Sequence, residues 1–159
     1  MAQSPRASSN FIWPPVVYGG AFLLAYAAGG WQPLPFAPAG LARVAALYAG
    51  LALLAAGFSV ALVAEMNFLR AGTATLPTRP ARVLVRGGIY RFTRNPMYLG
   101  MSLMLAGLGL AANSAWYLLT LPLAMILVFK LAIEREERYL EQTFGREYLD
   151  WKARVRRWI

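Results

Sequence analysis

The stretch Gly88-Ile89-Tyr90-Arg91-Phe92-Thr93-Arg94-Asn95-Pro96-Met97-Tyr98-Leu99-Gly100 sets arginines and a proline directly against the start of an apolar run, residues 97–112. Pro96 suits the first turn of a helix, where its missing N–H costs nothing, and Asn95 is positioned as the N-cap. Asn113-Ser114 then separates this run from another, residues 115–133, which contains Pro122. So tight a break predicts an antiparallel helical hairpin. Glu136-Glu137 follow at once and open a charged tail. Two polar segments flanking one hairpin can close over a single ligand.

Working outward, residues 11–30 carry no charge and are long enough to cross a hydrocarbon core of ~30 Å at 1.5 Å per residue. Trp13 and Trp31 stand at the two ends of that run, where interfacial aromatics belong. Residues 31–40 hold Pro33, Pro35 and Pro38 without a charge and read as a short connection, and a second span follows over 41–68. The expected fold is therefore all-α, a multi-pass membrane protein of four transmembrane helices with a tight hairpin between the third and fourth and a C-terminal helical cap. Residues 1–69 would hold the two N-terminal spans and residues 70–159 the functional core.

Arg70, Arg79, Arg82, Arg86, Arg91 and Arg94 lie between spans two and three with no acidic residue among them. Such a loop belongs on the cytoplasmic side, which puts both termini there as well. Arg6 and the basic end Arg154, Arg156 and Arg157 agree. The first run reads as an uncleaved helix, and a bacterial inner membrane is the expected location. Beyond Ile133 the chain turns to helix formers, with Glu134 and Arg138 at i, i+4 spacing, so the fourth helix should run on into the cytoplasm. Gly145 should stop or kink it, and residues 147–157 should form a short amphipathic helix at the membrane surface.

Composition supports this reading. Of 159 residues 58% are hydrophobic, and sixteen Lys and Arg face seven Asp and Glu, a net charge of +9. The arginines stand between apolar runs rather than along one polar surface, which points to membrane orientation and away from nucleic acid. With no cysteine and no histidine, disulfides, thiolate nucleophiles, imidazole bases and the usual zinc, copper and haem ligands are excluded. No metal is expected.

Several side chains near the corner have chemical potential beside an ordinary reading. Arg91 and Arg94, just before a helix N-terminus, favour a carboxylate or phosphate, although loop arginines also mark topology or touch lipid headgroups. Tyr90 and Tyr98 can hold a sulfonium or quaternary ammonium by cation–π attraction, although interfacial tyrosines are common without a ligand. Glu136 and Glu137 can bind ribose hydroxyls or neutralise a cation, or form a solvated face paired with arginines. Glu65 is the one acidic residue inside a span, a functional candidate by that placement. Gly50, Gly57, Gly100, Gly107 and Gly109 fit close helix packing.

The combination "R-N-P-M-Y-L-G" followed by "E-E-x-x-L-x-x-x-F-G-x-x-Y" resembles the integral membrane methyltransferases typified by isoprenylcysteine carboxyl methyltransferase and phosphatidylethanolamine N-methyltransferase, over roughly residues 70–158. The resemblance implies that the segments 84–100 and 136–148 enclose S-adenosylmethionine on the cytoplasmic side. Carried over position by position, it implies a cofactor site lined by Leu84, Val85, Gly88, Tyr90, Asn95, Pro96, Tyr98, Leu99, Gly100, Glu136, Glu137 and Tyr148. Gly72, Thr73 and Pro77 would lie nearer the substrate. Many members have histidine at the position of Asn95. Asparagine keeps a hydrogen bond but does not titrate near neutral pH, so no base is expected there.

The expected activity is methyl transfer from S-adenosylmethionine to a lipophilic acceptor, a carboxylate, amine or thiol, that enters from the bilayer. Glu65, Arg94 and Glu137 are the residues expected to carry catalysis, and Tyr98 is expected to meet Glu137 across the closed hairpin. Two alternatives share parts of the pattern: an NADPH-dependent reductase of the sterol type, and a non-enzymatic membrane scaffold. The tyrosine-proline corner matches the methyltransferase form better.

Overall fold

A computed structural model describes residues 13–72 and 83–159, and among these every regular element is helical. Helix α1 covers Pro14–Trp31, α2 Leu41–Arg70, α3 Pro96–Ala112 and α4 Ala115–Val128. A π-helical turn, Phe129–Ile133, joins α4 without a break to α5, Glu134–Phe144, and Gly145 separates α5 from α6, Arg146–Lys152. A 3-10 turn, Gly88–Arg91, precedes α3. Thr73, Pro77, Arg79, Arg82 and Arg6 lie outside the described residues.

Two helices, Leu41–Arg70 and Ala115–Phe144, are long and apolar enough to cross a membrane, and Pro96–Ala112 is a shorter apolar helix. The outer faces of α2 and α4 expose Leu51, Phe58, Leu62, Leu119, Leu123 and Ile126. An apolar surface of that extent belongs against lipid or a partner, because water-soluble monomers rarely expose one.

Helix α3 lies at the centre, packed along α2 on one side and against α4 on the other, while α1 docks chiefly on α4. The α2–α3 contact is glycine on glycine. A Cβ on Gly50 would fall 2.6 Å from the Gly107 carbonyl oxygen, and one on Gly57 would fall 2.6 Å from that of Gly100. Each helix thus repeats a glycine every seven residues, the two run antiparallel, and their backbones touch where side chains would normally keep them apart. Pro14 and Pro96 occupy first-turn positions, as their missing N–H groups favour.

Two apolar clusters hold the bundle. One joins Tyr18 and Ala25 of α1 to Leu105, Tyr117, Ala124, Val128 and Ile133. The other is a cap at one end, where Tyr148, Trp151 and Val155 close over Ala64, Leu84 and Tyr90. Buried rings need their polar tips satisfied, and Trp151 donates to the Tyr90 carbonyl at 3.3 Å. At the opposite end Asn113 takes the left-handed conformation, φ 53°, which asparagine tolerates. Its side chain accepts from the backbone N–H of Ala37 at 2.8 Å and donates to the Ala37 carbonyl at 2.9 Å, fastening the proline-rich segment to the α3–α4 turn.

Some boundaries differ from expectation for local reasons. Glu134 pairs back across the π turn with Lys130 at 2.8 Å. The tail forms a helix only over Arg146–Lys152 and then leaves helical geometry to follow the α3 corner.

Candidate active site

The corner before α3 and the start of α5 meet at the capped end of the bundle. Tyr98, one turn into α3, donates to Glu136 Oε2 at 2.9 Å. Glu137, 8% exposed, faces a different set of partners. Arg157 Nε donates to its Oε1 at 2.9 Å and Arg157 Nη2 to its Oε2 at 3.0 Å, while Arg94 Nη1 lies 3.1 Å from Oε1 and Lys152 Nζ 3.7 Å from Oε2. Tyr98 therefore meets Glu136 and not Glu137. Consecutive helical residues point about 100° apart, so the two glutamates reach different walls of one site.

Each carboxylate is tuned by its wall. Burial pushes the Glu136 carboxyl up, the Tyr98 hydrogen bond opposes this, and the charge of Glu137 adds to it. Burial also works against the charge of Glu137, but the Arg157 hydrogen bonds and the charges of Arg94, Arg157 and Lys152 prevail and hold it below the usual carboxylate range. Tyr90 is raised by burial and by the charges of Glu136 and Glu65, so Glu65 stands in the same electrostatic neighbourhood. Burial and the nearby Glu137 push Tyr148 up to about 12, with Arg94 opposing. Two acids in one site with opposed shifts are a recurrent mark of functional chemistry.

Asn95 has the backbone position of an N-cap, φ −129°, but its side chain does not cap α3. Its amide instead donates to the Arg157 carbonyl at 3.1 Å, which also accepts from Thr93 Oγ1 at 3.1 Å, and the Arg94 N–H donates to the Arg156 carbonyl at 3.0 Å. The segment after α6 is thereby laced along the corner, with the Arg157 guanidinium 4.8 Å from the centre of the Phe129 ring. Arg94 Nη1 faces Glu137, while its Nε is sealed from solvent without a hydrogen bond. A buried guanidinium donor left in that state favours an acceptor that the chain itself does not supply.

Of the residues singled out from sequence, the structure brings Tyr90, Arg94, Asn95, Pro96, Tyr98, Glu136, Glu137 and Tyr148 together, with Glu65 beside Tyr90. Leu84 is buried in the cap and Val85 packs against it. Gly88, at φ 58°, closes on Asn67: a Cβ there would meet Asn67 Oδ1 at 2.5 Å. Gly100 faces Gly57 in the helix seam, and Leu99 is half-buried beside it. Gly72, φ 63°, ends the turn after α2 in open space. Arg157, Lys152 and Thr93 were not anticipated as site residues. Only the basic character of the C-terminal run hinted at the first, and nothing local marks the others.

A family model described as phospholipid methyltransferase matches residues 45–147, well over half of the chain. An uncharacterized protein of Haemophilus influenzae is 42% identical over 65 residues, which cover 40% of this chain and 100% of that protein. No solved structure matches.

Proposed function

Because this chain belongs to the phospholipid methyltransferase family, a family of membrane enzymes that methylate lipids, we propose that it transfers the methyl group of S-adenosylmethionine to a lipophilic acceptor arriving from the bilayer. The observation that carries this reading is the convergence of opposed charges at the α3 corner: a buried Arg94, its Nε without a hydrogen bond, beside Glu136, Glu137 and two tyrosines. That donor set fits a zwitterionic cationic cofactor. Arg94 suits its carboxylate, Glu136 its ammonium or ribose hydroxyls, and the faces of Tyr90 and Tyr98 its sulfonium. Leu84, Val85, Gly88, Asn95, Pro96, Leu99, Gly100, Glu137 and Tyr148 form or support the walls, and the family resemblance assigns Gly72, Thr73 and Pro77 to the acceptor.

When bound, the cofactor supplies an electrophilic methyl group on sulfur. The residues of the chain then have to align the acceptor and keep water out, and alignment alone is worth effective molarities of about 10⁵ to 10⁸ M. The segment 153–159, tied to Thr93, Arg94 and Asn95, covers the corner and excludes solvent. A carboxylate acceptor needs no base. An amine or thiol acceptor gives up a proton, for which Glu65, close enough to act on the charge of Tyr90, is the candidate base.

In this reading α1, α2, α3 and α4 are four spans, with residues 1–69 the N-terminal pair and residues 70–159 the cofactor-binding core. α3 and α4 form the hairpin, and both termini lie on the cytoplasmic side of a bacterial inner membrane. The chain has no cysteine, so single substitutions report topology directly. Ala39→Cys should react with an impermeant maleimide added outside intact cells, and Gln142→Cys only after permeabilisation; the reverse pattern would invert the orientation and remove the cytoplasmic site.

Titration calorimetry on the purified protein tests the cofactor. S-adenosylhomocysteine should bind, and Arg94→Gln should weaken it by about tenfold or more, the usual consequence of losing a charge-assisted hydrogen bond. NADPH should give no heat. Binding of NADPH alone would favour a reductase, and binding of neither a scaffold.

A further inference from the structure

A cavity of about 370 Å³ opens at the end of the bundle away from the α3 corner, lined among others by Tyr26, Gly29, Arg43, Asn113, Ser114 and Tyr117. It lies at the far end of α3, whose seventeen residues rise roughly 25 Å from the corner. Of its polar groups, Asn113 is engaged in holding the proline-rich segment. Arg43 and Ser114 are not. Arg43 Nη2 donates to the Ala111 carbonyl at 2.9 Å, while Arg43 Nη1 and Ser114 Oγ are sealed without any hydrogen bond.

The charge on Arg43 has no counterpart in the chain. All seven acidic residues stand toward the other end: Glu65, twenty-two residues further along α2 and so roughly 33 Å away, and the six within residues 134–150. Arg43 also sits on the glycine seam, seven residues before Gly50, so it points along the α2–α3 contact and not out to solvent on the free face. A partly buried cation of this kind is costly unless an anion meets it. The surroundings favour one, because α2 and α4 both begin here, with no acidic residue in either first turn and no side-chain cap at Gly40 or Ser114.

We propose that this cavity is a second binding site, separate from the methyl-transfer site, for a phosphate group, with Arg43 Nη1 and Ser114 Oγ as its donors and Tyr26 and Tyr117 as walls for the attached organic portion. Its size is at the lower end of the range of small-ligand sites, enough for a phosphate ester headgroup. A phospholipid of the leaflet at that end and a soluble phosphate share this chemistry.

The test uses the full-length protein in an uncharged maltoside detergent, with native mass spectrometry and thermal unfolding as readouts. Dioleoyl phosphatidylglycerol should bind with one-to-one stoichiometry and raise the melting temperature, whereas dioleoylglycerol, with the same chains and no phosphate, should do neither. Arg43→Gln should weaken the phosphatidylglycerol complex about tenfold, as loss of a charge-assisted contact does, and Ser114→Ala, which leaves the Arg43–Ala111 bond intact, should weaken it less. Inorganic phosphate at millimolar concentration separates the sources: stabilisation equal to that by the lipid would assign a soluble anion, and none would assign the lipid headgroup. If phosphatidylglycerol, dioleoylglycerol and phosphate all leave the unmutated protein unchanged, or if both lipids act alike, the site is refuted. That comparison needs no variant. S-adenosylhomocysteine binding at the α3 corner should be unchanged in Arg43→Gln, so failure of the methyltransferase reading and failure of this site remain distinguishable.

Discussion

Replacing Glu137 by glutamine is expected to destabilise the protein by about 3–5 kcal/mol, the usual cost of removing one partner from a buried ion pair. The side chain is 11% exposed, and it pairs with Arg94, Arg157 and Lys152 at once; without it Lys152 keeps Glu141, but Arg94 and Arg157 lose their ion-pair partner. The same group predicts an acid limb. Its folded pKa is held below the ordinary carboxylate range, so its contribution is complete at neutral pH and is lost as pH falls through that depressed value. Denaturation in mild detergent across pH 3–8 should show that limb in the unmutated protein and a much flatter profile in Glu137→Gln. Equal stability of the two proteins at pH 7 would mean that the cluster is solvated and that the tail does not lock the corner.

Gly57→Val should be the other severe substitution, at about 3 kcal/mol or more, the upper range for overpacking. Its new Cβ would lie 2.6 Å from the Gly100 carbonyl oxygen and 2.8 Å from the Met104 nitrogen, and backbone atoms cannot turn aside as a side chain can. The helices must separate, and because Gly100 is one turn into α3 the displacement reaches the corner that holds Tyr98. Gly20→Ala is the matched control: nothing lies within 4 Å of its new Cβ, and helix propensity favours the change by up to ~1 kcal/mol. If thermal unfolding shows similar small effects for both, the seam is looser than the contacts indicate.

Local signals in the sequence carried the helices and the corner well. Pro96 and the 97–112 run located α3 to within a residue, since the start signal and the apolar run are both local properties. The glycines at 50, 57, 100 and 107 announced close packing, although not which helix meets which. The partner assignments at the site were harder to read. Tyr98 meets Glu136 because the phase of α5 is set by a π turn that no residue type in 129–133 advertises. Arg157 reaches Glu137 from twenty residues away, and its carbonyl reaches Asn95 from sixty-two, so its place follows from how the tail folds back. A basic residue near a membrane has an ordinary explanation that hides such a role. The same holds for Arg43 beside the proline-rich connection, which only the fold shows turned toward a cavity.

The turn at Phe129–Ile133 also sets an indexing rule for the enzyme. A π turn amounts to one residue wedged into an α-helix, and each such residue advances everything after it by about 100° about the axis. Upstream of the wedge, Ala124 and Val128 are registered to the bundle interior; downstream, the two glutamates are registered to the α3 corner. The helix is therefore two dials on one shaft, set separately. A relative one residue shorter between Pro122 and Glu136 would keep a good helix and every local preference, yet it would carry both acids round to the wrong bearing. The number of residues across that interval, more than the identity of any one of them, is what keeps Glu136 on Tyr98 and Glu137 on Arg94.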